Sequence, residues 1–343
     1  MSSIVEQYVS SLVFTSEPNQ KQEQNATEMT KQAMDALRLL AMDETAKAMC
    51  DTNPLLKSVM RKIAHRYIAG ETTEEVIPRL KAIRARGHAA SVELMGESCR
   101  DEARANHATE IFLQLIDQLN AHDITCSISL DLSHIGSVID PELGDYNVRR
   151  IAVAAAESGR ELMISMEGSE RTDQILSSYV RLHQDPHADF SHVGITLQAR
   201  LHRTKADFAN MLAYPGKIRL VKGAYFETSD RAHERESPEL FRAYLDYAKT
   251  LLTTGRKCSI ATHDTALQQA LVAFIKQEGI RNEEFEFESL MGLGTQQIDD
   301  LHAQGFATRE YAVYGDEYFL YVLNRIAENP VRLYQAVVDA CGV

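Results

Sequence analysis

From His88 onward the chain repeats one pattern: a short apolar run, then a longer segment whose apolar residues recur at helical spacing. The runs are ASVELMG (90–96), ITCSISLDL (124–132), LMISM (162–166), VGITLQ (193–198), IRLVKG (218–223), SIAT (259–262), FEFESL (285–290) and ATREYAV (307–313). Segments such as ANHATEIFLQLIDQL, NVRRIAVAAAES and TALQQALVAFIKQ follow them. Strands that alternate with helices join by right-handed crossovers and form a parallel sheet. Eight such units fill the roughly 250 residues of a closed (β/α)8 barrel. An open doubly wound sheet fits less well, because MGESCR after the first run has one glycine and no GxGxxG turn.

Before this repeat, residues 1–86 read as helical, with apolar positions at helical spacing in AMDALRLLAMDETAKAM and PLLKSVMRKIAHRYI. Residues 16–28, SEPNQKQEQNATE, read as a polar connection. The expected organisation is therefore an N-terminal helical segment, 1–86, and an α/β TIM-like barrel, 87–343. The formal charge of −13 repels a phosphate backbone and argues against a nucleic-acid partner. No apolar run reaches the roughly 18 residues of a membrane span. The start, MSSIVEQYVSSLVFTSEPNQ, lacks the basic and apolar regions of a signal peptide, so a cytoplasmic location is expected. Five scattered cysteines without a CxxC pair suggest neither a disulfide framework nor a zinc site.

In a barrel the chemistry belongs at the C-terminal ends of the strands. The polar residues there are Glu97, Asp131, His134, Glu167, Gln198, Arg200, Lys222, Tyr225, Thr262, His263, Asp264 and Tyr314. HExxH and GxSxG are both absent, which argues against metal-assisted hydrolysis and acyl transfer. In RLVKGAY, Arg219 and Lys222 lead into Gly223 and Ala224, where a glycine lets backbone N–H groups approach an anion. A solvated lysine and a structural, salt-bridging arginine are the equally weighted alternative. His263 in ATHD reads as acid/base, anion contact or cap, and Asp264 as the N-cap of the next helix. Tyr318, Tyr321 and Arg325 share a helical face after the eighth run, suited to a carboxylate or to plain packing.

The ordered strings VGITLQARLHRT, RLVKGAY, ATHD, FEFESLMGLG and YAVYGDEYFLYVLNRIAENP resemble the flavin-dependent proline dehydrogenase family over roughly residues 90–330. The resemblance implies a distorted (β/α)8 barrel and non-covalent FAD. It also implies oxidation of a ring C–N bond by hydride transfer to the flavin, with electrons passing to a quinone. Arg219 then matches an arginine beside flavin N5, where a guanidinium tunes the reduced cofactor. Met166, Gln198, Lys222, Gly223, Ala224, Thr262 and His263 match cofactor-binding positions. Leu290, Tyr314 and Tyr321 match the walls of the substrate pocket, and Arg325 a carboxylate-binding arginine.

Four positions depart from the family pattern. Asn324 stands where a second arginine is usual, Asp131 where a lysine is usual, Ser165 at a catalytic position where an aspartate is common, and Val313 at a usual proline. Each lost charge-assisted hydrogen bond costs about 1.5–3 kcal/mol, so the substrate differs from plain proline or another group compensates, with His134 a candidate. Such divergence is similar to that of proline dehydrogenase-like proteins of carbapenem antibiotic biosynthesis. The rival expectations are a degenerate FAD- or ligand-binding barrel without turnover, and a phosphate-binding lyase or aldolase acting through a Schiff base on Lys222.

Overall fold

The computed structural model describes residues 20–281 and 283–342. The signal-peptide expectation therefore rests mostly on residues outside the described ones. The described chain divides into two compact units, one of residues 65–318 and one of residues 20–64 with 319–342.

The larger unit is a closed parallel barrel with strands in the order β1 to β8. These are β1 (Ala89–Leu94), β2 (Ser127–Leu130), β3 (Leu162–Ile164), β4 (Val193–Gln198), β5 (Ile218–Val221), β6 (Cys258–Ala261), β7 (Phe285–Leu290) and β8 (Thr308–Tyr314). Every expected strand is present. Closure comes from β1 against β8, with Ser91 opposite Tyr311 and Glu93 opposite Val313. Outward-facing residues such as Val92, Ile128, Ile195, Leu220, Ile260 and Phe287 are fully buried under the surrounding helices, which explains the apolar runs. Local signals start those helices: Asp101, Asp140, Ser237 and Asp264 each accept a first-turn N–H as N-cap, and Pro141 and Pro238 occupy the first helical turn.

The helix Thr73–Ala85 supplies Val76, Ile77, Leu80 and Ile83 to the barrel's apolar core. The boundary expected at residue 86 thus falls within the barrel unit. The smaller unit contains the helices Gln20–Ala41, Glu44–Thr52, Pro54–Ala64, Phe319–Ile326 and Pro330–Cys341. Residues 20–28, expected as a polar connection, belong to its first helix. Gln, Glu, Lys and Ala are good helix formers even without an apolar face, and propensity outweighed polarity there. Arg38, in the first of these helices, bonds the carbonyl of Ala327, the residue after Phe319–Ile326, at 2.8 Å. No helix among the described residues is long and apolar enough to cross a membrane.

Candidate active site at the barrel mouth

Every second residue of a barrel strand points inward, and here that inner face is polar. Along β5 the inward residue is Arg219, which is 4% exposed. Its Nε donates to Glu288 at 3.0 Å, a second nitrogen lies 3.0 Å from the same carboxylate, and another bond reaches Ser129 Oγ at 2.9 Å. The guanidinium also lies 4.9 Å from the centre of the Tyr311 ring. Burial works against this charge, but Glu288 outweighs it and the pKa stays above the ordinary value. Toward the N-terminal end of the strands, Glu286 accepts from Arg309 at 2.7 Å, Lys217 at 3.1 Å and Ser259 at 2.5 Å. Burial would raise the Glu286 carboxyl, yet these partners hold its pKa down to about 2.

Toward the mouth the wall turns acidic. Glu93 accepts from Ser165 Oγ at 3.0 Å and from the Tyr311 hydroxyl. Glu167 accepts the Ser133 N–H at 3.0 Å and pairs with Arg171. Asp131 is raised well above the carboxylate range, first by burial, then by Glu93, Glu167 and Glu97 nearby. Tyr225 and Tyr311 are likewise pushed well up by burial and these carboxylates, so both phenols stay protonated. Burial lowers the pKa of His134, which leaves it neutral near pH 7 and unable to replace a missing cation. Despite this density of acids, no group of three His, Cys, Asp or Glu side chains among the described residues is placed to hold a metal.

The expected cofactor residues lie on or just after β3 (Met166), β4 (Gln198), β5 (Arg219, Lys222, Gly223, Ala224) and β6 (Thr262, His263). Gln198 is 2% exposed and donates to the Glu167 carbonyl at 2.7 Å, while its Oε1 has no hydrogen-bond partner. Gly223 adopts φ +118°, and a Cβ there would meet Gln198 Oε1 and the Arg200 side chain at 2.8 Å. An orphaned buried acceptor beside backbone that tolerates no side chain fits a bound group carrying an N–H donor. Lys222 pairs with Asp264 at 2.9 Å, and Ala224 follows in a loop that Arg235 binds through the carbonyls of Ala224 and Tyr225. Thr262 Oγ1 accepts the Asp264 N–H at 3.1 Å. His263 Nε2 accepts the Leu290 N–H at 3.0 Å, which leaves Nδ1 to carry the proton of the neutral ring. Met166 is buried in the apolar core.

The expected substrate residues divide between the two units by sequence. Asp131, Ser165 and Leu290 stand at the inner wall, Leu290 in register with Tyr311. Tyr314 is 1% exposed, near Thr73, and alternation turns it to the side opposite Tyr311. Tyr321, Asn324 and Arg325 belong to the smaller unit. There Arg325 pairs with Glu328 at 2.7 Å and its guanidinium lies 5.3 Å from the centre of the Tyr321 ring. Glu93, Glu288 and Tyr311 were not singled out from sequence. Strict alternation along VEL, FEFES and TREYA, the signal that would find them, places all three on the inner face.

Residues 76–333 match the family described as Proline dehydrogenase. The proline dehydrogenase of Deinococcus radiodurans is 31% identical over 279 residues, which covers 80% of this chain and 89% of that protein. Proline dehydrogenase 1 of Bacillus subtilis (strain 168) is 30% identical over 270 residues, covering 78% and 87%. Among solved structures, proline utilization A from Bdellovibrio bacteriovorus inactivated by N-propargylglycine aligns with a TM-score of 0.73 at 20% identity. That alignment covers 90% of this chain and 37% of the other, and its likeness is one of fold.

Proposed function

Because this chain belongs to the proline dehydrogenase family and is an oxidoreductase acting on CH–NH groups, we propose that it oxidises a proline-like ring to a Δ1-pyrroline-5-carboxylate-type imine, using non-covalent FAD and a quinone acceptor. The observation that carries this reading is the buried Arg219, fixed by Glu288 and Ser129, together with the orphaned acceptor of Gln198 beside Gly223. Met166, Gln198, Arg219, Lys222, Gly223, Ala224, Thr262 and His263 are the residues that would hold the cofactor. When bound, the flavin supplies the two-electron acceptor.

The chain's own residues do the rest. The bidentate pair with Glu288 keeps the Arg219 guanidinium oriented while charge changes around it, which is the value of a preorganised dipole in a dry site. The Lys222–Asp264 pair ties the loop after β5 to the helix after β6. His263, bonded to the Leu290 N–H, ties β6 to the substrate wall on β7. Leu290 and Tyr311 present apolar surface to a ring, and Glu93 with Ser165 presents the polar side.

The test is direct. The purified chain should carry a flavin spectrum that is released on denaturation and bleached anaerobically by a ring amine. Protein that lacks flavin and fails to bind added FAD would refute the reading. Flavin that no ring amine bleaches would leave the barrel as a binding protein without turnover.

A further inference from the structure

At the end of the barrel opposite the mouth, the first residues of β1, β2 and β8 and the turns before β2 and β3 line a cavity of about 360 Å³. That lies at the small end of the roughly 300–1,000 Å³ typical of small-molecule sites. Three arginines line it: Arg84 from the last turn of the helix Thr73–Ala85, Arg160 from the turn before β3, and Arg309 from β8. All three act on the Cys126 thiol in the cavity wall, which burial nonetheless pushes up to about 12. They differ in how their charge is met. Arg309 bonds Glu286 at 2.7 Å. Arg84 donates to the Thr125 carbonyl at 2.9 Å and pairs with no carboxylate among the described residues. Arg160, 7% exposed, donates to the carbonyls of Ile124 at 2.6 Å and Cys126 at 3.2 Å and to Asn120 Oδ1 at 2.7 Å. Its Nε has no hydrogen-bond partner, burial lowers its pKa, and no carboxylate among the described residues acts on it to offset that. A buried charge is ordinarily paired with an opposite one. Neither carboxylate of the cavity wall fills that role. Glu161 accepts from Lys217 at 2.7 Å, and the exposed Asp123 pairs with no arginine among the described residues.

We propose that this cavity is a second binding site, which takes a small organic oxyanion, a carboxylate or a phosphate, against the guanidinium groups of Arg160 and Arg84. A guanidinium presents its N–H donors in a fork that matches two oxygens of either head group. Arg309, held by Glu286, adds positive potential without having to act as a donor. Asp123 opposes binding, because its charge has the sign of the ligand's. The site lies away from the mouth, so an anion held there stabilises the barrel by mass action and displaces neither a flavin nor a ring amine. A purely structural Arg160, tying the turn before β3 to the turn before β2, would respond to no anion.

The experiment titrates citrate and inorganic phosphate calorimetrically into the full chain at matched ionic strength, with sodium chloride as the reference, both without and with saturating FAD. Saturable binding of at least one of the two anions, unchanged by FAD, is expected, and the tighter one identifies the head group. Arg84→Gln and Arg160→Gln should each weaken that binding roughly tenfold, the fold-change of one charge-assisted hydrogen bond. Asp123→Asn should tighten it by up to about fivefold, the range of an exposed charge pair, and asparagine tolerates the φ of +52° at this position. Binding no stronger than sodium chloride reproduces would overturn the proposal. So would competition by FAD, which would put the anion at the mouth, or an affinity that none of the three substitutions moves. Should Arg160→Gln not fold, Arg84→Gln and Asp123→Asn, both at exposed residues, still decide.

Discussion

Replacing Arg219 by methionine keeps most of the bulk and removes the charge. It strands the Glu288 carboxylate, 3% exposed, whose remaining hydrogen bond among the described residues is a long 3.4 Å contact from Ser91 Oγ, with the Arg309 charge acting on it from further away. Breaking a buried pair from one side typically costs about 3–5 kcal/mol, because the remaining charge is left uncompensated. The lost bond to Ser129 adds about 1 kcal/mol, and the lost cation over the Tyr311 ring a similar amount. Against a total stability on the order of 5–15 kcal/mol, Arg219→Met should lower the urea midpoint of flavin-free protein substantially. The double variant Arg219→Met with Glu288→Gln removes both charges and should recover about half or more of that loss, a coupling of roughly 2–3 kcal/mol. In cofactor-loaded protein, the rate of flavin reduction should fall much further than FAD occupancy. If the double variant is no more stable than Arg219→Met alone, Glu288 is not the partner that matters and the argument from the buried pair is wrong. Equal loss of rate and occupancy would make Arg219 structural only.

Three further outcomes follow from the same inner wall. Glu286 has its pKa depressed from 4.5 to about 2, so its contribution is present above pH 4.5 and disappears as the pH falls through about 2. Glu286→Gln should therefore cost about 3 kcal/mol at neutral pH and nothing near pH 2, as read from denaturation at a series of pH values. Asp131 has its pKa raised, and the sign reverses: its folded form is favoured at low pH and penalised as the pH rises. Asp131→Asn should leave the midpoint unchanged near pH 4 and raise it progressively toward pH 8, and a destabilised variant at pH 8 would contradict this. Gly223→Ala forces a Cβ onto φ +118° and against Gln198 and Arg200. The expected cost is about 1–3 kcal/mol with loss of FAD binding, measured by flavin content after purification.

The architecture is legible in the sequence because a (β/α)8 barrel writes its period twice, once in the spacing of apolar runs and once in the helical segments between them. The site is only partly legible, for the same physical reason. Strands covered outside by helices present an apolar outer face, and that face dominates a short run such as IRLV or FEFES. Read as a block, IRLV suggests a core strand with one awkward arginine. Read with period two, it puts Arg219 on the same side as Ser129 and Glu288, and the cross-barrel bonds follow. Tyr311 and Tyr314 make the point most sharply, since three positions apart in one strand means opposite faces. The resemblance selected Tyr314, while the inner wall receives Tyr311. What no pattern along the chain conveys is which cation is already occupied. Arg219 and Lys222 read as anion sites in isolation, and only their folded neighbours Glu288 and Asp264 reveal that each charge is paired.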